Sequence, residues 1–220
     1  MVGKSTDGLV SHYINRRFSN PITNFIVKHN LPFTPNQFSV ISFSVGILGA
    51  LMFILKYPII AGILIQASSI LDGVDGELAR ARNMQSKFGG FFDAILDRVV
   101  DIAAITSLSI YVILTTSPSN ILIVSIIMIL AATGAVMVSY IHARGEASLK
   151  IHPRHIGRFP SIASRDARLF IIFLGALFSI FFEQALFVTL ILIAMLSYVY
   201  VFAKFAEIIY HHYRNPNARI

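Results

Sequence analysis

The order of apolar and polar positions along the chain predicts six membrane-crossing helices, over residues 37–56, 58–79, 91–115, 119–143, 168–182 and 184–210. About 20 apolar residues in a helix cross roughly 30 Å of hydrocarbon. The second and third runs are less apolar than the rest. Each carries acidic residues at the end nearest the 80–90 connection. Ahead of the first run, residues 8–30 mix Val10, Tyr13, Ile14, Phe18, Ile22, Phe25 and Ile26 with Arg16, Arg17 and Lys28. That pattern suits an amphipathic helix lying along a membrane surface, broken near Asn20-Pro21; an ordinary packing helix has the same pattern. Residues 1–20 contain Asp7, His12, Asn15, Arg16 and Arg17 and lack the apolar centre of a signal peptide. The expected class is an all-α polytopic membrane protein with six transmembrane helices and an N-terminal amphipathic juxtamembrane helix. Its expected parts are a juxtamembrane segment over 1–35, a catalytic membrane domain over 36–213 and a tail over 214–220.

Composition supports this reading. Of 220 residues, 55% are hydrophobic and 13% charged, with a mean hydropathy of +0.71. Soluble domains carry about 25% charged residues, so a disordered chain is excluded and a soluble one disfavoured. Without cysteine there are no disulfides, thiolate metal sites or cysteine nucleophiles. Without tryptophan, tyrosine must serve at the lipid interface. The net charge of +7 is scattered between apolar runs, which argues for anionic headgroups over nucleic acid.

If the N-terminus is placed inside, 15 of the 18 Lys and Arg residues fall on inner segments and Lys56 alone on an outer turn. Arg98 and Lys204 lie within spans. The positive-inside rule then puts both termini in the cytoplasm, of a plasma membrane. The outer turns, near 56–58, 115–119 and 182–184, are too short to hold a site. Chemistry is therefore expected on the cytoplasmic side.

The 11 acidic residues are unevenly placed: six fall between 72 and 101, namely Asp72, Asp75, Glu77, Asp93, Asp97 and Asp101. Carboxylates within membrane segments are costly and point to function. Asp72 and Asp75 are spaced i,i+3 and share a helix face, as do Asp93 and Asp97 at i,i+4. A short basic turn makes the two helices antiparallel neighbours, so the pairs can face each other. Four converging carboxylates need cations to stay ionised. Mg²⁺ is the natural partner, with two ions shared as in phosphoryl-transfer sites. Gly73, Gly76, Gly89 and Gly90 flank these carboxylates, which suits close approach of a ligand or a helix. Arg80 stands one turn beyond Gly76, where it can grip a phosphate.

Asp72-x2-Asp75-Gly76-x2-Ala79-Arg80-x8-Gly89-x3-Asp93-x3-Asp97 resembles the signature of the CDP-alcohol phosphotransferase family at all eight positions. Thr34-Pro35-Asn36 resembles that family's approach to its first transmembrane helix. The resemblance implies that Asp72, Asp75 and Asp93 hold a pair of Mg²⁺ ions (or Mn²⁺), with Asp97 at the edge and also acting as general base. It implies a CDP donor held by Asn36, Gly76, Arg80, Ser86 and Gly89, and attack by an alcohol that releases CMP. A homodimer is the family expectation, using the third and fourth spans.

The basic stretch from Arg144 to Arg168 follows either from topology or from an anion pocket. In the second reading Arg144, Arg165 and Arg168 bind the phosphate of a polyol phosphate. Asp7-Gly8 and Asn15-Arg16-Arg17 are similar to the membrane half of archaeal di-myo-inositol-phosphate-phosphate synthases. That similarity implies CDP-inositol as donor and inositol phosphate as acceptor, with the chain standing alone or forming part of a cytidylyltransferase fusion. The competing donor is CDP-diacylglycerol, as in phosphatidylinositol-phosphate or phosphatidylglycerol-phosphate synthases. In another class, a cation transporter would also place aspartates in the membrane, although here they cluster at one face and no inverted repeat appears. The seven histidines are scattered near interfaces and carry no metal-ligand spacing.

Overall fold

The computed structural model describes residues 8–115 and 121–214. Seven α-helices and no strands occur among them. These are α1 (Arg16–Lys28), α2 (Pro35–Ile54), α3 (Pro58–Ala81), α4 (Lys87–Thr115), α5 (Ile121–Leu149), α6 (Arg165–Phe178) and α7 (Ala185–Arg214). A π-helical turn, Ser11–Asn15, leads into α1, and a 3₁₀ turn, Pro153–His155, lies between α5 and α6. The expected turn at 115–119 and tail at 214–220 fall almost wholly outside the described residues.

The starts of the helices follow from local chemistry. Thr34 caps α2: its hydroxyl accepts the Gln37 N–H at 3.4 Å while the Gln37 side chain accepts the Thr34 N–H at 2.8 Å, with Pro35 at the first helical position. Pro58 likewise stands at the first helical position of α3, without a side-chain cap. Ser86 begins α4, its hydroxyl accepting the Gly89 N–H at 2.9 Å. Ser164 caps α6 through the Ala167 N–H.

Five of the described helices, α2, α3, α4, α5 and α7, are long and apolar enough to cross a membrane. The sixth expected span differs. Helix α6 has 14 residues, about 21 Å at 1.5 Å per residue. The apolar run continues through Ile180, Phe181 and Phe182, but the backbone there closes into tight turns, Ile180 N–H to Leu177 and Phe181 N–H to Phe178. The expected break near Asn20-Pro21 is also absent. Helix α1 runs through Pro21, because Ser19 and Thr23 on either side of it are bonded to α3.

The core lies between α2, α3, α4, α5, α6 and α7, where Phe53, Ile65, Ile105, Leu108, Val124, Ala131, Leu169, Ile172, Leu190 and Ile193 are buried. Small residues let the helices close on one another. A Cβ on Gly49 of α2 would lie 2.9 Å from Ile65 of α3, and one on Gly62 of α3 would lie 2.5 Å from Ala176 of α6.

Candidate active site

The C-terminal end of α3 and the N-terminal half of α4 carry the carboxylates. Among the described residues, Asp72, Asp75 and Asp93 each offer an oxygen lying within 4.8 Å of the others. The i,i+3 pair on α3 thus meets α4 as its spacing predicts. Asp75 is buried and fixed: the Ser39 hydroxyl of α2 donates to Oδ2 at 2.5 Å, and the Gly76 N–H points to Oδ1. Such a set of hard oxygen donors fits a divalent cation of the Mg²⁺ or Mn²⁺ kind.

Asp97 is joined to this group through an arginine. Arg165 Nη1 lies 2.9 Å from Asp72 Oδ2 and 3.0 Å from Asp97 Oδ1. These are ion-pair distances, at angles that form no hydrogen bond. Arg165, at the start of α6, therefore ties α3, α4 and α6 together.

Two clefts open beside the carboxylates. The first, of about 210 Å³, is lined by Asn36, Ser39, Asp75, Gly76, Arg80, Ser86, Gly89, Gly90 and Asp93, together with Pro35, Ala79, Met84 and Gln85. All five residues expected to hold a CDP donor line it. The glycines divide by role. A side chain at Gly89 would meet Ser86 and Asn36, one at Gly90 would meet nothing within 4 Å, and one at Gly73 would strike Ser19 and Arg16 of α1. Gly73 thus serves helix packing and not this cleft.

The second cleft, of about 250 Å³, is lined by Asp72, Asp97, Arg98, Ser139, His142, Arg154, Arg165, Asp166 and Arg168, with Gly8, Val138 and Ser164. Of the three arginines expected at an acceptor, Arg165 and Arg168 line it. Arg168 is committed: its Nε donates to Asp101 Oδ1 at 3.2 Å, Nη2 to Asp101 Oδ2, and Nη1 to the Ala163 carbonyl. Arg144 is exposed on α5 and is not among the lining residues. Arg154 takes a place there that the sequence did not single out. His142, read as one of the scattered interfacial histidines, also faces this cleft and bonds Tyr200 Oη at 2.7 Å.

Behind the carboxylates, α1 is docked on α3 by polar contacts. Glu77 is buried and accepts from Arg16 Nη1, Ser19 Oγ and Thr23 Oγ1, each at 2.6 Å. Asn15 donates to Ser69 Oγ at 2.9 Å and accepts from Gln66 Nε2 at 2.9 Å, and Ser69 Oγ donates to Asp166 at 3.2 Å. Arg82 closes the α1–α2 connection on the carbonyls of Leu31 and Phe33 at 2.7 and 2.6 Å. Sequence spacing gives no signal for these contacts, which join residues about 50 to 100 positions apart.

Residues 32–205 match the family model described as CDP-alcohol phosphatidyltransferase, and the chain belongs to that family. It is 40% identical over 190 residues to the bifunctional IPC transferase and DIPP synthase of Thermococcus kodakarensis, covering 84% of this chain and 41% of that protein. The chain thus spans about two fifths of the bifunctional relative. It is 32% identical to the archaetidylinositol phosphate synthase of Pyrococcus horikoshii, over 77% of this chain and 80% of that one. The crystal structure of Mycobacterium tuberculosis phosphatidylinositol phosphate synthase with CDP-DAG bound superposes with a TM-score of 0.71 at 26% identity, covering 87% of this chain and 93% of that one. The same synthase has been solved in complex with manganese and citrate, at a TM-score of 0.72 and 25% identity, over 86% and 88% of the two chains. The family match weighs against the transport reading.

Proposed function

We propose that the chain moves the phosphoalcohol group of CDP-inositol onto a hydroxyl of inositol phosphate and releases CMP. The observation that carries this is the meeting of two separate polar clefts at Asp72, Asp75, Asp93 and Asp97. The first cleft receives the cytidine diphosphate against Asn36, Gly76, Arg80, Ser86 and Gly89. The second receives the acceptor, its phosphate met by Arg165 and Arg154, with Arg168 held behind them by Asp101. Asp97, at the edge of the second cleft, takes the proton from the acceptor hydroxyl. That oxygen attacks the phosphorus nearest the donor alcohol, the pyrophosphate P–O bond breaks, and CMP leaves. Two Mg²⁺ ions, held by Asp72, Asp75 and Asp93 with Asp97 alongside, would neutralise the charge that develops on the pyrophosphate. The relative named as a DIPP synthase supports the choice of substrates.

One observation favours a second reading, in which the donor is a CDP-activated lipid. An apolar groove of Phe33, Val40, Ile41 and Phe92 adjoins the donor cleft through Asn36. Two relatives are lipid synthases, one with CDP-DAG bound.

Mass spectrometry separates the two. The purified enzyme is given inositol phosphate and Mg²⁺ with either CDP-inositol or CDP-diacylglycerol. A bis-inositol phosphodiester formed only from CDP-inositol upholds the first reading. A phospholipid product from CDP-diacylglycerol alone replaces it with the second.

The same reading extends to the surroundings. Helix α6 with its aromatic turn completes six crossings, and both termini and the clefts face the cytoplasm across a plasma membrane. Helix α1 and the residues leading into it lie along the membrane, since Leu9 and Tyr13 before it and Phe18 and Phe25 within it point outward while Ser19, Thr23 and Ile26 face α3. The exposed Ile95, Val99, Ile102, Ile123, Ile126 and Ile129 on α4 and α5 suit a homodimer contact.

A further inference from the structure

The connection between α5 and α6 carries Arg154, and its own sequence does little to hold it: it is basic and contains only one short 3₁₀ turn. It is held from α7. Lys204 has no exposed surface, although it is a lysine in an apolar helix. Its Nζ donates to the Ile156 carbonyl at 3.0 Å, to the Phe159 carbonyl at 3.5 Å and to Glu207 Oε2 at 2.6 Å. Glu207 Oε1 in turn accepts the N–H groups of Arg158 and Phe159 at 2.7 and 2.8 Å. Between these anchors, Gly157 adopts φ +74°, and a Cβ there would fall on the Glu207 carboxylate. The connection is therefore wrapped around one ion pair, closer than any other residue at 157 allows.

Arg154 stands three residues before this wrap. Its Nε is buried and has no hydrogen-bond partner among the described residues, while the side chain lines the second cleft. On its other side, Pro153 packs where a side chain at Gly145 of α5 would lie. A buried guanidinium nitrogen without a partner suits a site that receives an acceptor from outside the chain.

We propose that Lys204, Glu207 and Gly157 form a latch that positions Arg154 for the acceptor phosphate, so that α7, remote from the carboxylates, sets acceptor affinity. This inference rests on the acceptor reading of the second cleft. It separates acceptor from donor binding, because the latch touches none of the residues that line the donor cleft.

The test is calorimetry on the full-length protein in detergent with Mg²⁺. Inositol phosphate is the acceptor probe and CMP the donor probe. Lys204→Met, Glu207→Ala and Gly157→Ala should each weaken inositol phosphate about tenfold, the equivalent of about 1.4 kcal/mol, and leave CMP affinity in place. Gly157→Ala keeps every charge, so it reports on the latch even where loss of the lysine impairs folding. Glu207→Gln keeps an oxygen for the two N–H groups and should recover most of the loss. Arg154→Ala is the reference. Latch variants with wild-type inositol phosphate affinity beside a weakened Arg154→Ala overturn the latch alone. Equal loss of both probes reduces the latch to general stability and overturns it too. Wild-type protein that does not bind inositol phosphate, or Arg154→Ala that binds as tightly as wild type, overturns the acceptor reading and the latch with it.

Discussion

At the scale of single residues, the proposed reaction divides the carboxylates into those that would hold a cation and one that would move a proton. Asp75→Asn or Asp93→Asn should abolish CMP release, because each removes a charge from a group whose members lie within 4.8 Å. Near-normal turnover in either variant at ordinary Mg²⁺ would count against the metal assignment. Ser39→Ala is the subtler change. It removes the 2.5 Å hydrogen bond that orients Asp75 and should raise the half-saturating Mg²⁺ about 10- to 100-fold, the usual effect of losing a ligand's supporting partner. A Mg²⁺ titration of initial rate reads this directly. Asp97→Asn should lose most of the rate while CMP still binds, because a base acts on the acceptor. The spacing of the aspartates made this centre legible: helical periodicity alone puts i,i+3 and i,i+4 partners on one face. Ser39 was not legible, since a serine in an apolar run has the same appearance whether it bonds its own helix or a carboxylate 36 positions away. Arg144 and Arg154 make the same point in opposite directions. Both belong to one basic stretch, and a run of charge does not say which member turns inward.

At the scale of elements, the helix starts carry local signals, since Thr34 with Gln37, Pro58, Ser86 and Ser164 act within a few residues of themselves; hydropathy alone does not read them and placed the third and fifth spans at 91 and 168 where α4 and α6 begin at Lys87 and Arg165. The docking of α1 was not legible, because Glu77 finds its partners through tertiary contact. Replacing Glu77 with Ala removes the carboxylate that Arg16, Ser19 and Thr23 share and should destabilise the fold by about 3–5 kcal/mol, the cost of breaking a buried pair from one side. Thermal unfolding together with proteolysis near α1 measures it; an unchanged midpoint would mean that α1 is held by its apolar contacts with Val74 and Leu78. The α5–α6 connection adds a dependence on pH. Burial, then the nearby Arg154 charge, holds the His152 pKa below its ordinary 6.5, with Glu146 pulling the other way and His155 adding to the depression. The His142 ring lies tilted against the His152 ring, centroids 5.0 Å apart. The Nδ1 atom accepts the Arg154 N–H at 3.2 Å, which requires the unprotonated nitrogen. A base depressed in the folded state contributes stability above its unfolded pKa and loses it as pH falls toward the folded value. The connection should therefore loosen below about pH 6.5. Hydrogen exchange across residues 150–164, corrected for intrinsic rates, should rise between pH 7.5 and 5.5 in wild type and less in His152→Gln.

For the whole molecule, the charge distribution predicts a direction across the membrane. The chain has no cysteine, so single cysteines can be placed at will. Lys56→Cys, at the α2–α3 turn, should react with an impermeant maleimide on intact cells, and Lys150→Cys should react only after permeabilisation; the reverse pattern would invert the topology. The bundle also places unequal demands on its parts. Helix α3 turns a different side to each neighbour: Asp75 and Arg80 to the donor cleft, Gly73 and Glu77 to α1, Ser68 to α2, and Gly62 to α6. From Leu64 to Arg80 every residue of it is buried or half-buried, whereas Ile60 and Ile63 near its start are exposed. One residue inserted between Ile65 and Asp72 would rotate everything beyond it by about 100°, turning the carboxylates out of the site and Glu77 into lipid at once. Substitution can be absorbed one contact at a time, whereas a change of length here cannot. In a library of single-residue insertions and deletions, the interval from Pro58 to Ala81 should therefore stand out as a stretch whose length is fixed far more strictly than its spelling.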